Sequence, residues 1–221
     1  MIDMNKLLGS FLSSGAASGF AGGLAGGLAS NLISGKSARK LGSSALKLGG
    51  IAAVGALAYT AYQRYNNSQS AAAPVQAAAA NNAVLAAAPA GSAFMPPTDD
   101  HAANQELGLI LVRAMIAVAR ADGRLDAQES QVIFQKIQSL GLDSASQNLL
   151  VQEMGHPVDV DAIVNSASSP ELAAEIYIAS LLAVDVDTAA EKSYLAMLAA
   201  RLQLPSQLVT ELENQVSAQR V

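Results

Sequence analysis

Two thirteen-residue runs constrain the fold of this chain more than anything else in it: LGLILVRAMIAVA at 107–119 and LAAEIYIASLLAV at 172–184. Each is apolar at nearly every position, with a single arginine in the first and a single glutamate in the second. Neither shows the alternation of a half-buried strand, and a helix that is apolar all round must be covered on most sides. The two runs therefore predict the central pair of a helical bundle, with more amphipathic helices arranged around them.

From Asn104 onward the periodicity stays helical. It predicts helices near 104–120, 127–140, 144–154, 159–167, 170–184, 188–202 and 205–218. The expected starts carry proper signals: Asp159 as a cap, Ser169 as a cap followed by Pro170 at the first helical position, and Pro205 ahead of the last helix. No run of alternating β-branched residues interrupts them. The expected class is all-α, a compact bundle of about seven helices over 104–221.

Charge divides the chain into three zones. Residues 1–65 carry Lys6, Lys36, Arg39, Lys40, Lys47 and Arg64 against Asp3, a net of +5, while residues 66–98 carry none. Residues 99–221 hold 17 carboxylates against 7 Lys and Arg, a net of −10. An acidic domain repels a phosphate backbone, and a chain without Trp offers little for base stacking, so no nucleic-acid partner is expected. The absence of cysteine excludes disulfides and thiolate chemistry.

The first zone reads as membrane-anchoring. Gly15, Gly19, Gly23 and Gly27 recur every four residues in a stretch without charge from Leu7 to Gly35. In water so much glycine costs a helix about 1 kcal/mol per residue, whereas in a bilayer such spacing lets helices approach and self-associate. The stretch LGSSALKLGGIAAVGALAYTAY at 41–62 has Lys47 as its one charge and a length close to that which spans a hydrocarbon core. Tyr59, Tyr62 and Tyr65 stand at its far end, where aromatic rings favour the lipid interface. The basic residues before it predict a single pass, with residues 36–47 in the cytoplasm and residue 66 onward sent across the membrane. Residues 66–103, rich in Ala, Pro and Asn, are expected to be a linker too poor in burial potential to hold a fold.

The acidic domain contains two related turns. MIAVARADGRLDAQESQVIFQKIQSLGL and IASLLAVDVDTAAEKSYLAMLAARLQL each run from an apolar helix through Asp122 or Asp185 to Glu129 or Glu191, and each ends in a Leu-x-Leu pair. They predict two pseudo-repeated helical hairpins offset by about 62 residues. DAQE at 126–129 and TAAE at 188–191 both read as capping boxes, which is a sufficient structural reason for Asp126, Glu129 and Glu191. Capping leaves Asp122, Asp185 and Asp187 over, and anions at helix C-termini want a compensating partner. Carboxylates converging from both turns would suit a hard cation such as Ca²⁺ or Mg²⁺, although the spacing is not that of an EF-hand.

The pattern A-x-ADG-x-x-D-x-x-E followed by A-x-D-x-D-x-x-x-E on an all-helical domain resembles the TerB-like family associated with tellurite resistance. With the KSARK cluster and the apolar stretch behind it, the whole chain is similar to YebE-type bacterial inner-membrane proteins that carry such a domain. The resemblance implies an all-helical fold of two related halves. It also implies a divalent-metal role for Asp122, Asp126, Glu129, Asp185, Asp187 and Glu191. The second turn lacks the glycine that the first has at 123.

Enzyme signatures are missing from the sequence. His101 and His156 share no ligand spacing with each other or with the acids, and no nucleophile elbow or phosphate loop follows a strand. The expected function is a membrane-anchored, non-enzymatic adaptor whose acidic domain binds a divalent cation, a partner protein or both. The alternatives are an interaction module whose acids only cap helices, and a metal-dependent hydrolase.

Overall fold

The computed structural model describes residues 7–9, 50–70, 87–121, 144–184, 186 and 188–219. Its elements are α1 (Gly50–Ser70), α2 (His101–Ala119), α3 (Ser144–Gly155), α4 (Val160–Ser166), α5 (Pro170–Ala183), α6 (Ala189–Arg201) and α7 (Ser206–Gln219). Residues 7–9 form a further helical turn. The fold is all-α, and the expected helix starts hold. Asp159 accepts from the Ala162 N–H at 2.8 Å, and Ser169 Oγ accepts from the Leu172 N–H at 3.1 Å with Pro170 at the head of α5. The expected helix at 127–140, and with it the first of the two hairpins, lies outside the described residues.

The two apolar runs do meet. α2 and α5 form the most extensive helix pair in the bundle, and α5 also touches α1, α6 and α7. Every residue of α5 from Ala173 to Ala183 is buried, including Ile176 and Ile178 at 0% exposure. Burying a side chain of that size contributes about 1.5–3 kcal/mol relative to leaving it in water. The α2–α5 seam is the centre of the hydrophobic core.

What the sequence pattern did not foresee is the place of α1. The segment expected to cross a membrane is a core helix here, packed against α7 and α5. Ile51, Val54, Ala56, Leu57, Ala58 and Ala61 are all 0–1% exposed within the protein. Of the stretch 41–62, residues 50–62 are described, and their apolar side chains pack against other helices of the bundle, while 41–49 lie outside the described residues. Tyr59 and Tyr62 do not form an interfacial belt either. Both rings meet the Phe94 ring edge-on, with centroids 5.6 and 5.5 Å away. Among the described residues His101–Ala119 alone is long and apolar enough to cross a membrane, and 61% of that window is buried in the bundle. A core helix passes the same test.

Parts of the expected linker, 66–70 and 87–103, are among the described residues. α1 runs on past the 65/66 boundary to Ser70, and residues 87–100 form an ordered strap over it. A tight turn shapes the strap: the Gly91 N–H donates to Met95 O at 2.8 Å, and the Met95 N–H to Ser92 O at 3.1 Å. Gly91 has φ +76°, a conformation that only glycine takes without strain. Phe94, 7% exposed, is the buried end of the strap. Asn104 then ties the strap to α2, donating from Nδ2 to Pro97 O at 2.8 Å and to Asp100 O at 2.7 Å.

Candidate functional site

One side of the bundle opens into a cleft of about 220 Å³ between α2, α3 and α4. Its floor is apolar, formed by Ile110, Ile116, Ala117 and Ile163, and Pro157, Val158 and Ala162 form a wall. The rim is charged. Arg113, the one charge in the first apolar run, reaches out of α2 and makes a two-pronged bond to Glu153 of α3, Nε to Oε2 at 2.7 Å and Nη2 to Oε1 at 2.9 Å. The planar fork matches the carboxylate, which fixes both side chains more firmly than a single contact would. The carboxylate raises the Arg113 pKa further, chiefly through this hydrogen bond.

Arg120 ends α2 and serves a different purpose. Its Nη1 donates to Met154 O at 3.2 Å and His156 O at 2.7 Å, the free carbonyls at the end of α3. A cation there satisfies orphan acceptors and suits the negative end of the helix dipole. The Nε of Arg120 is buried with no hydrogen-bond partner among the described residues. His156 and Asp159 complete the rim, Asp159 already engaged as the cap of α4. The Ser166 hydroxyl donates to Ile163 O at 2.6 Å within its own helix end.

Of the six acids expected to hold a cation, Asp122, Asp126, Glu129, Asp185 and Asp187 lie outside the described residues. Glu191 is described, and it completes a capping box: Thr188 Oγ1 accepts from the Glu191 N–H at 3.1 Å, and Glu191 Oε2 accepts from the Thr188 N–H at 3.1 Å. That satisfies two of the orphan donors at the head of α6. Among the described residues, no three His, Asp or Glu side chains gather closely enough to hold a metal ion. Val186, between Asp185 and Asp187, adopts φ +50°. That left-handed conformation is costly for a β-branched residue, and it falls in the turn that lacks the other turn's glycine.

A second buried acid was passed over in the sequence although its signal was plain: Glu175 is the lone carboxylate of the second apolar run. It is 1% exposed at the middle of α5, and its Oε1 has no hydrogen-bond partner among the described residues. Burial pushes its pKa up to about 9, and the charge of Glu171 one turn earlier adds to the shift. Glu175 is therefore a neutral acid at pH 7. Its carboxyl lies beside Gly55 of α1, where a Cβ would stand 3.2 Å from Oε1 and 2.4 Å from the Phe94 carbonyl oxygen. Only glycine lets α1, the strap and Glu175 come together at that point.

No solved structure matches this chain. A curated relative from Yersinia enterocolitica, described as an uncharacterized protein in the ampR 5′ region, is 27% identical over 106 residues, covering 48% of this chain and 76% of that protein. A far longer match comes from a family profile described as protein of unknown function (DUF533), which spans residues 18–216 and so takes in the strap, the cleft, both acidic turns and the α1–α5 seam; the chain belongs to the DUF533 family.

Proposed function

We propose that this protein is a non-enzymatic helical adaptor that receives a short apolar segment of a partner protein in the cleft between α2, α3 and α4. The observation that carries this reading is the cleft itself: an apolar floor inside a rim whose charged groups are held by one another or by helix ends. Arg113, Glu153, Arg120 and Asp159 are fixed in place by structural bonds. Such groups orient a bound segment well, and they are poorly placed to exchange protons with one. A cavity of about 220 Å³ accommodates one or two large side chains rather than a whole helix.

The wider reading attaches the adaptor to a bacterial inner membrane through the glycine-rich region that includes Gly15, Gly19, Gly23 and Gly27. The TerB-like and YebE-type resemblance supports that attachment and adds a Ca²⁺ or Mg²⁺ role for the acidic turns.

Selection of displayed random peptides on the immobilised full chain tests the cleft. Peptides sharing a short apolar consensus should be enriched, and they should not bind an Ala162→Trp variant, whose indole fills the cavity from an exposed wall position. Enrichment of the same peptides on that variant, with its melting temperature unchanged, would place recognition elsewhere. Calorimetric titration of the full chain with Ca²⁺, Mg²⁺ and Mn²⁺, beside an Asp122→Asn, Asp185→Asn variant, tests the cation separately. Heat that disappears in the variant supports a site, and no heat from the parent chain removes it.

A further inference from the structure

We propose that the 87–100 strap is a proton-held latch, docked on α1 while the Glu175 carboxyl carries its proton and released when that carboxyl ionises, which uncovers Tyr59, Tyr62 and the α1–α5 seam. Three observations on one spot carry this. Phe94, the buried end of the strap, inserts edge-on against Tyr59 and Tyr62. The Phe94 carbonyl oxygen and Glu175 Oε1 crowd the same side of Gly55, where even a methyl group would clash. Oε1 has no hydrogen-bond partner among the described residues. A neutral acid tolerates that place. A carboxylate pressed among apolar groups and facing a carbonyl oxygen does not, because it loses its hydration and gains no donor.

Among the described residues nothing nearby relieves the charge. The stretches 51–58 of α1 and 87–97 of the strap contain no titratable side chain, and the one cation of α1, Arg64, lies nine residues beyond Gly55, more than two helical turns along. On α2, Glu106 and Arg113 are exposed. On α7, Glu213 is taken by the Tyr177 hydroxyl at 3.0 Å, and on α6, Glu191 is in its capping box. The charge that does bear on Glu175 is that of Glu171, which opposes ionisation. Lifting the strap admits water to the carboxylate and costs the bundle the burial of Phe94 and Ala88 and the packing of Met95.

The sign follows from proton binding. Docked strap holds the proton up to about pH 9, while released strap gives it up in the ordinary glutamate range, so docking weakens as pH rises through that window. The ratio of docked to released strap should fall by up to about tenfold per pH unit.

Fluorine NMR on the full chain labelled with fluorophenylalanine reads this directly, with the Phe94 signal assigned by its loss in Phe94→Leu. In the parent chain the docked signal should give way to a released one between pH 5.5 and 9.5 while helical circular dichroism holds steady. In Glu175→Gln, and in Glu175→Leu should the amide perturb the fold, the docked signal should persist across the whole range. Three results overturn the latch: a docked signal unchanged to pH 9.5 in the parent, the same release in both Glu175 variants, or loss of helicity in step with release.

Discussion

α5 holds a buried glutamate near its middle and leads, past its C-terminus, to another at the head of α6, and the two differ in what the chain sets beside them. Glu175 is 1% exposed and Glu191 2%. Glu191 accepts from the Thr188 backbone N–H within a local capping box, so its burial comes with a donor that the chain itself places three residues away. Glu175 faces α1 and the strap, segments 75 or more residues distant, and its Oε1 finds no hydrogen-bond partner among the described residues. Depth alone says little about what an acid does for a fold. The α5–α6 junction is made by local hydrogen bonding, whereas the α1–α5 seam is made by shape and remains strained at one atom.

Removing one side of the comparison has the largest expected effect. A fragment of residues 99–221 keeps the α5–α6 junction and deletes the seam, since α1 and the strap are lost. The faces of α5 and α7 that α1 covers would then be open to water, including the surroundings of fully buried Tyr177 and Ile178. A single domain is marginally stable by about 5–15 kcal/mol, and losing a core helix exceeds that. The fragment should give no cooperative melt and should bind a hydrophobic dye, where the full chain melts sharply. A sharp melt from 99–221 would mean that α1 is an accessory to the bundle.

Gly55→Ala attacks the seam at a single point. The new methyl would stand 2.4 Å from the Phe94 carbonyl, a backbone atom that cannot rotate away. Overpacking of this kind costs about 1–3 kcal/mol, and the strap must lift to relieve it. Chemical denaturation should show the loss. The Phe94 ring should also leave Tyr59 and Tyr62, a change that Gly91→Ala in the turn would produce only in part.

Replacing each acid by an apolar residue should have opposite signs at the two positions. Glu191→Ala removes half of the capping box and costs about 1 kcal/mol. Glu175→Leu replaces an unpartnered buried acid with an apolar side chain of similar size and should stabilise by about 1–3 kcal/mol. Proton linkage separates them further. The Glu175 pKa is raised, so its contribution to stability is full below the ordinary glutamate range and is lost as pH rises toward about 9. Urea melts of the parent chain between pH 5 and 9 should therefore show stability falling with pH, at most by about 1.4 kcal/mol per unit for one proton. Glu175→Gln should flatten that slope.

Local structure was legible in the sequence to the extent that its causes are local. The Asp159 and Ser169 caps, the Thr188–Glu191 box and the meeting of 107–119 with 172–184 all follow from spacing and composition. The site residues were less so. Five of the six expected cation ligands lie outside the described residues, and Glu191 is placed as a cap. The cleft depends on Arg113 meeting Glu153 forty residues later, which no periodicity announces. α1 shows why composition leaves a helix's surroundings open: an apolar helix says that it needs an apolar surrounding and not whether lipid or protein supplies it. Phe94 lies in a stretch of alanine and proline, and its partners Tyr59 and Tyr62 are more than thirty residues back, so nothing local marks it as a core residue.

The smallest effect tests the junction at its own weak point. Val186 sits at φ +50° in the turn between α5 and α6, with Cβ branching that disfavours the left-handed region. The parallel turn at 122–126 has Gly123 at the corresponding step, as a chain that must enter that region would prefer. Val186→Gly removes strain of about 1–2 kcal/mol and returns some of it as added freedom in the unfolded chain, about 0.5–1 kcal/mol. Because Val186 is partly buried against the core, its side chain offsets a little more. The net should be a gain of about 0.5 kcal/mol or less, read as a rise of one or two degrees in melting temperature in this size range. A clear loss instead would mean that Val186 contributes more by packing than its backbone costs, and that the junction is held by apolar contact as firmly as by the capping box beside it.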